Sequence, residues 1–143
     1  MDSEQIDAKA PARLGDWFYL TIEMMPGERL LRSAQAMRML RPKLGAEGYL
    51  YLTDMRLVWS PPRPLAWLKL VRQAQVIPLT EIARCEEGES SFWNGWPIDV
   101  YTSDARYQYY PHTRGIGRAF REDTQGWVEA ISRAVETAKE QDS

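Results

Sequence analysis

Residues able to do chemistry are few and scattered in this chain. The one histidine is His112, in Tyr110-Pro-His-Thr113, and the one cysteine is Cys85. A nucleophile–base pair would need these two within hydrogen-bond reach, with a third group orienting the base. Cys85 follows Arg84 and precedes Glu86-Glu87. Arg84 would favour a thiolate, but the adjacent acids oppose it. Cys85 reads better as a small buried strand residue, and His112 as a surface group in a loop. Glu86, Glu87 and Glu89 lie together, but they lack the Asp/Asn/Gly spacing of a cation-binding loop and read as a solvated face. A single cysteine excludes an internal disulfide and a cysteine-based zinc site. Gly115-Ile-Gly117 has no strand–turn–helix context around it, so it is not a nucleotide loop. No catalytic residue, metal site or cofactor is expected, and the protein reads as non-enzymatic.

The elements are more informative. Tyr49, Tyr51 and Thr53 alternate with Leu50 and Leu52, the period of two of a half-buried strand. Thr53-Asp54 can turn, and Arg56-Leu-Val-Trp-Ser60 returns, so the unit predicts a hairpin. Ser60-Pro-Pro-Arg-Pro64 ends that strand, because proline lacks the ladder donor. Further strands are expected at Gln75–Leu79 and Ile82–Glu87. Ile98–Thr102 and Arg106–Tyr110 predict a second hairpin about Ser103-Asp104-Ala105. Arg41–Gly48 and Gly88–Pro97 read as loops, the latter carrying Trp93 and Trp96. Leu14–Met25 has strand composition in part, without a settled assignment. Trp127, Ile131, Ala134 and Ala138 fall on one face at helical spacing. That predicts a C-terminal helix, capped by Asp123 or Thr124. Glu28–Leu40 is rich in Leu, Arg, Ala, Gln and Met, and on composition alone it predicts a helix.

Several of these motifs carry a resemblance. Gly48-Tyr-Leu-Tyr-Leu-Thr-Asp-Met-Arg-Leu-Val-Trp, followed by Ile77-Pro-Leu79, resembles the hairpin and downstream strand of GRAM and bacterial PH-like families. Gly27-Glu-Arg-Leu-Leu31 resembles the opening of their first strand, which implies strand rather than helix for Glu28–Leu40. Trp127 matches the helix tryptophan that those families pack into the core. The resemblance covers residues 27–138. It implies a mainly β fold with one α-helix: a PH-like, seven-stranded β-sandwich or barrel capped by a C-terminal helix. Residues 1–12 read as a polar tail, and 13–140 as one PH-like domain.

The 143 residues carry a formal net charge of −2, with a pI near 5.5. Residues 29–80 hold nine basic residues and two acids, so the charge is segregated along the chain. In a meander the connections after the first, third and fifth strands share one end: Arg41–Glu47, Pro61–Ala74 and Gly88–Pro97. The basic residues there are Arg41, Lys43, Arg63, Lys69 and Arg72, with Trp67 as an apolar anchor. Cations around tryptophan suit an anionic membrane surface. The PH resemblance implies the same kind of partner, although Arg41-x-Lys43 is only a fragment of a phosphoinositide signature. The alternative is a protein-interaction or self-assembly module, a homo-oligomer among them, with no lipid binding. The acidic pI argues against nucleic acid. The polar start, the single cysteine and the absence of a long apolar run lead us to expect a cytoplasmic protein, peripheral at the inner membrane face.

Overall fold

A computed structural model describes residues 13–14, 19–63, 73–112 and 118–142. The expected tail, 1–12, and most of the basic connection, 64–72, lie outside the described residues, as do 113–117. Two short strands pair first, β1 (Arg13–Leu14) with β2 (Ile22–Glu23). Seven more form one antiparallel sheet: β3 (Leu30–Arg41), β4 (Leu44–Thr53), β5 (Arg56–Ser60), β6 (Gln75–Pro78), β7 (Arg84–Glu87), β8 (Ile98–Tyr101) and β9 (Arg106–Pro111). Their order is β6-β5-β4-β3-β9-β8-β7. A 3₁₀ turn at Leu79–Glu81 links the two edge strands, and helix α1 (Arg121–Asp142) closes the chain.

β3 is strand, as the family resemblance implied and against the helical composition of its sequence. It is hydrogen-bonded on both sides, to β4 and β9. Tertiary pairing of this kind outweighs intrinsic propensity. Its alternation also suits a sheet, since Ala34 and Ala36 are buried while Ser33 and Gln35 are exposed. Ala36 lies opposite Gly48, and the Trp59 indole fills the hollow those two small residues leave. A Cβ on Gly48 would stand 2.5 Å from the Trp59 ring, and Trp59 Nε1 donates to the Ala36 carbonyl at 3.0 Å.

β4 starts five residues earlier than the expected hairpin strand, at Leu44 instead of Tyr49. The segment read as a loop over Arg41–Gly48 is a two-residue turn at Pro42-Lys43, with β4 already under way at Leu44. Pro42 presets one turn position, and Lys43 takes the left-handed one at φ 67°.

The edges β6 and β7 do not pair with each other. Helix α1 packs across that opening, against β7 and the 3₁₀ turn. Trp127 and Ile131 are fully buried, with Ala134 and Val135 beside them, and Ala138 is half-buried. Across the interior, the fully buried Tyr109 donates its hydroxyl to Gln75 Oε1, tying β9 to β6. The helix begins at Arg121, so Asp123 and Thr124 fall inside its first turn instead of capping it. The Phe120 carbonyl accepts the first helical N–H, from Thr124, and Thr124 Oγ1 donates to the Trp96 carbonyl at 2.6 Å.

Candidate functional site

The site is built on the outer face of β3 and β9. In β3 the outward positions include Met37, Met39 and Arg41; in β9 they are Arg106, Gln108 and Tyr110. The β3–β4 turn contributes Pro42 and Lys43, and Gly45 leaves room for the Met37 thioether to lie across β4. The β7–β8 loop supplies the opposite wall through Ser91, Trp93 and Asn94. Together they bound an open cleft of about 780 Å³.

That loop arrives by a route the sequence did not suggest. Glu87 pairs with Ile98, Ile98 with Tyr109, and Tyr109 with Arg38. The root of the loop is therefore level with Arg38. It meets Arg41 and Lys43 across the face of the sheet, not beyond the strand ends as a simple meander would have it. The loop is tightly tied. Ser91 and Gly95 exchange backbone hydrogen bonds at 2.7 and 2.9 Å. Ala119 N–H donates to the Asn94 carbonyl at 2.8 Å, and Trp96 N–H to the Ala119 carbonyl at 3.1 Å. Gly95 has φ 88°, and a Cβ there would collide with the Ala119 carbonyl. This clamp forces Phe92 and Trp93 outward, 76% and 79% exposed, with their rings edge-to-face at 4.9 Å. The two loop tryptophans thus divide: Trp96 is half-buried beneath the Arg121 guanidinium, while Trp93 stands in solvent.

The charges of the cleft are one-sided. The Arg41 and Lys43 side chains make no ion pair or hydrogen bond among the described residues. Arg106 is partly offset by buried Asp99, 3.6 Å away, which also accepts from Gln108 Nε2 at 2.9 Å. Burial pushes the Tyr110 phenol above its ordinary value, and the Asp99 charge adds to this, so Tyr110 meets the cleft as a neutral group. A cationic rim over a methionine floor can hold an anionic group that carries an apolar attachment.

Arg63 is elsewhere. Its Nη2 donates to Thr21 Oγ1 at 3.1 Å, where the N-terminal segment is held by a Leu20 N–H bond to the Pro61 carbonyl at 3.0 Å. Trp67, Lys69 and Arg72 lie outside the described residues. Sequence reasoning missed Arg106, Phe92 and Trp93's exposed pairing with it. The Asn94-Gly95 turn signal was the clue available for the loop.

The residues first weighed for catalysis are not assembled. Burial pushes the Cys85 thiol up to about 12, with Asp99 and Glu86 adding to the shift. Cys85 pairs through Val100 with Tyr107, five positions along β9 from His112. With ~3.3 Å per extended residue along the strand and ~4.8 Å for each of the two strand steps, the two are on the order of 19 Å apart. His112 is not the surface group its loop position implied: it is 5% exposed, with Nε2 3.1 Å from Glu47 Oε2. Its backbone N–H donates to the Gln35 carbonyl at 2.7 Å. Glu86 pairs with Arg84, and Glu87 with Arg121. No cluster of three His, Cys, Asp or Glu suited to a metal exists among the described residues. Among them, too, no helix is long and apolar enough to cross a membrane.

With this geometry in place, known proteins give a fold. No protein-family model matches the chain, and no curated protein matches it in sequence. Solved structures do match. The Vps36 N-terminal PH domain superposes with a TM-score of 0.54 at 16% identity, over 80% of this chain and 83% of its own. The C-terminal domain of an unknown protein from Leishmania infantum gives 0.52 at 20% identity, covering 76% and 86%. The DH/PH domains of PDZ-RhoGEF, in complex with activated RhoA, give 0.52 at 12% identity, over 80% of this chain but 31% of that one. The fold is PH-like.

Proposed function

We propose that this PH-like module is a non-catalytic adaptor that docks on anionic membrane lipid through the cleft beside the β3–β4 turn. The observation that carries the reading is the pair Arg41 and Lys43, exposed at the cleft rim with no acidic partner among the described residues. In this reading Lys69 and Arg72, with Trp67 as apolar anchor, add further contacts, while Arg63 is engaged with Thr21. The narrower kinship with GRAM domains rests on the Gly48–Trp59 hairpin and Ile77-Pro-Leu79. A cytoplasmic setting at the inner membrane face fits the lone, half-buried cysteine.

The test is flotation with neutral and anionic vesicles at low and high salt. Binding is expected with anionic lipid alone and falls as salt screens it. Each cation near the surface contributes about 1 kcal/mol, so Arg41→Gln with Lys43→Gln should weaken binding roughly thirtyfold. Undiminished binding in that variant sinks the assignment.

A protein partner or a second copy of the chain is the other reading, and one observation favours it. Met25, Leu30, Leu31 and Met55 are exposed near the far end of β3. Leu31 also borders a groove of about 310 Å³ with Ala130 and Ala134 of α1. Salt-insensitive self-association and no flotation would move the function there.

A further inference from the structure

The exposure of Phe92 and Trp93 is held in place by the loop that carries them. A large aromatic side chain in water is unfavourable, and this chain sets two side by side at the tip of one tight loop. The tip is braced from behind by the Ser91–Gly95 pair and by the Asn94 and Trp96 bonds to Ala119. Arg118 adds a bond from its guanidinium to the Phe92 carbonyl. Arg118 is exposed beside the tip, and Arg41, Lys43 and Arg106 stand across the cleft from it. No acid is among the described residues that line the cleft. Glu89, near the loop root, is the exposed acid closest in sequence.

We propose that Phe92 and Trp93 form a pre-shaped wedge that enters the interfacial layer of an anionic phospholipid bilayer, while Arg41, Lys43, Arg106 and Arg118 meet headgroup phosphates around it. This rests on the membrane reading above and adds an insertion step to it. Tryptophan favours the headgroup level, where one edge is apolar and the other wet. A ring of one charge sign around an apolar tip complements a surface whose outer layer is anionic and whose inner layer is hydrocarbon. Since the loop is already fixed, little conformational entropy is lost on insertion.

The experiment attaches an environment-sensitive fluorophore through Trp93→Cys and, as a control, through Met55→Cys on the exposed β4–β5 turn, at the opposite end of β3 from Arg41. The unlabelled-site protein is the blank, because Cys85 is partly buried with a raised pKa. Vesicles are phosphatidylcholine with and without phosphatidylserine, and with or without doxyl groups on the acyl chains. The label at residue 93 should shift to the blue and be quenched by doxyl only with phosphatidylserine present, while the label at residue 55 stays in water. Phe92→Ser with Trp93→Ser should weaken flotation about tenfold or more while leaving the melting temperature unchanged. If the parent protein floats with anionic lipid but the label at residue 93 stays in water and the double variant floats equally well, the wedge is overturned and electrostatic docking stands. If the parent protein floats with neither vesicle, the membrane reading itself fails, and the wedge with it.

Discussion

The two ends of β3 use the same residue types for opposite purposes. At its start, Arg56 donates to Glu28 through Nε at 2.9 Å and Nη2 at 3.0 Å, and to the Glu23 carbonyl at 2.6 Å. Thr53 Oγ1 donates to the same carboxylate at 2.5 Å and accepts from the Arg56 N–H at 3.0 Å. The Pro26-Gly27 turn delivers Glu28 to this spot, with the Met25 N–H donating to its Oε1 at 2.9 Å. Glu28's side chain is 0% exposed. At the far end Arg41 and Lys43 stand in water with nothing to neutralise them among the described residues. An arginine's surroundings are thus decided by what the fold brings to it: a buried carboxylate makes Arg56 a brace, while Arg41 is left exposed beside a cleft whose described lining holds no acid.

The largest effect should come from breaking the brace. Glu28→Ala leaves the Arg56 charge buried and unpaired, a loss of about 3–5 kcal/mol. Urea denaturation would show it as a lower midpoint, and flotation of the protein that remains folded should be unchanged. Acid should attack the same end. Burial alone would raise the Glu28 carboxyl, but the bonds from Arg56, Thr53 and Met25, together with the Arg56 charge, outweigh it and hold the pKa below its ordinary value. A carboxyl lowered on folding stabilises the fold above its unfolded pKa, and that contribution is lost as pH falls through the folded value. Stability followed from neutral to acid pH should therefore drop more steeply in the parent protein than in Glu28→Gln. An equal slope in the two would deny the brace its role.

At the opposite end, the Arg41→Gln and Lys43→Gln pair should move binding and leave the urea midpoint within about 0.5 kcal/mol, as for an exposed site. The smallest effect sharpens the contrast. Lys43 occupies a left-handed position at φ 67°, where glycine is unstrained. Lys43→Gly should raise stability by about 0.5 kcal/mol, the relieved strain exceeding the added chain entropy, while weakening lipid binding by one cation. Lost stability and unchanged binding in Lys43→Gly would count against the proposed contact.

Much of this arrangement was legible in the chain. The Tyr49–Thr53 alternation, the Ser103-Asp104-Ala105 turn and the helical face of Trp127 and Ile131 are local patterns, and local patterns survive folding. β3 was legible only through resemblance, because its Ala, Leu, Met and Arg content favours helix until strands flank it on both sides. The turn at Thr53-Asp54 could be read, but the buried partner Glu28 could not, lying 25 positions from Thr53. His112 failed for the same reason, since its burial depends on Glu47 and Gln35. Of the basic residues singled out, Arg41 and Lys43 line the cleft and Arg63 braces the N-terminal segment. Composition could not separate them, since a cation's surroundings are a long-range property.

Ala36, Gly48 and Trp59 share one volume, and that bears on how sequences of this fold can drift. A heavier side chain at position 36 or 48 has nowhere to go unless the indole at 59 shrinks, and a smaller residue at 59 leaves a void that only growth at 36 or 48 can refill. The three positions are free to change together and constrained one at a time, so a lineage can cross between packings only by paired steps.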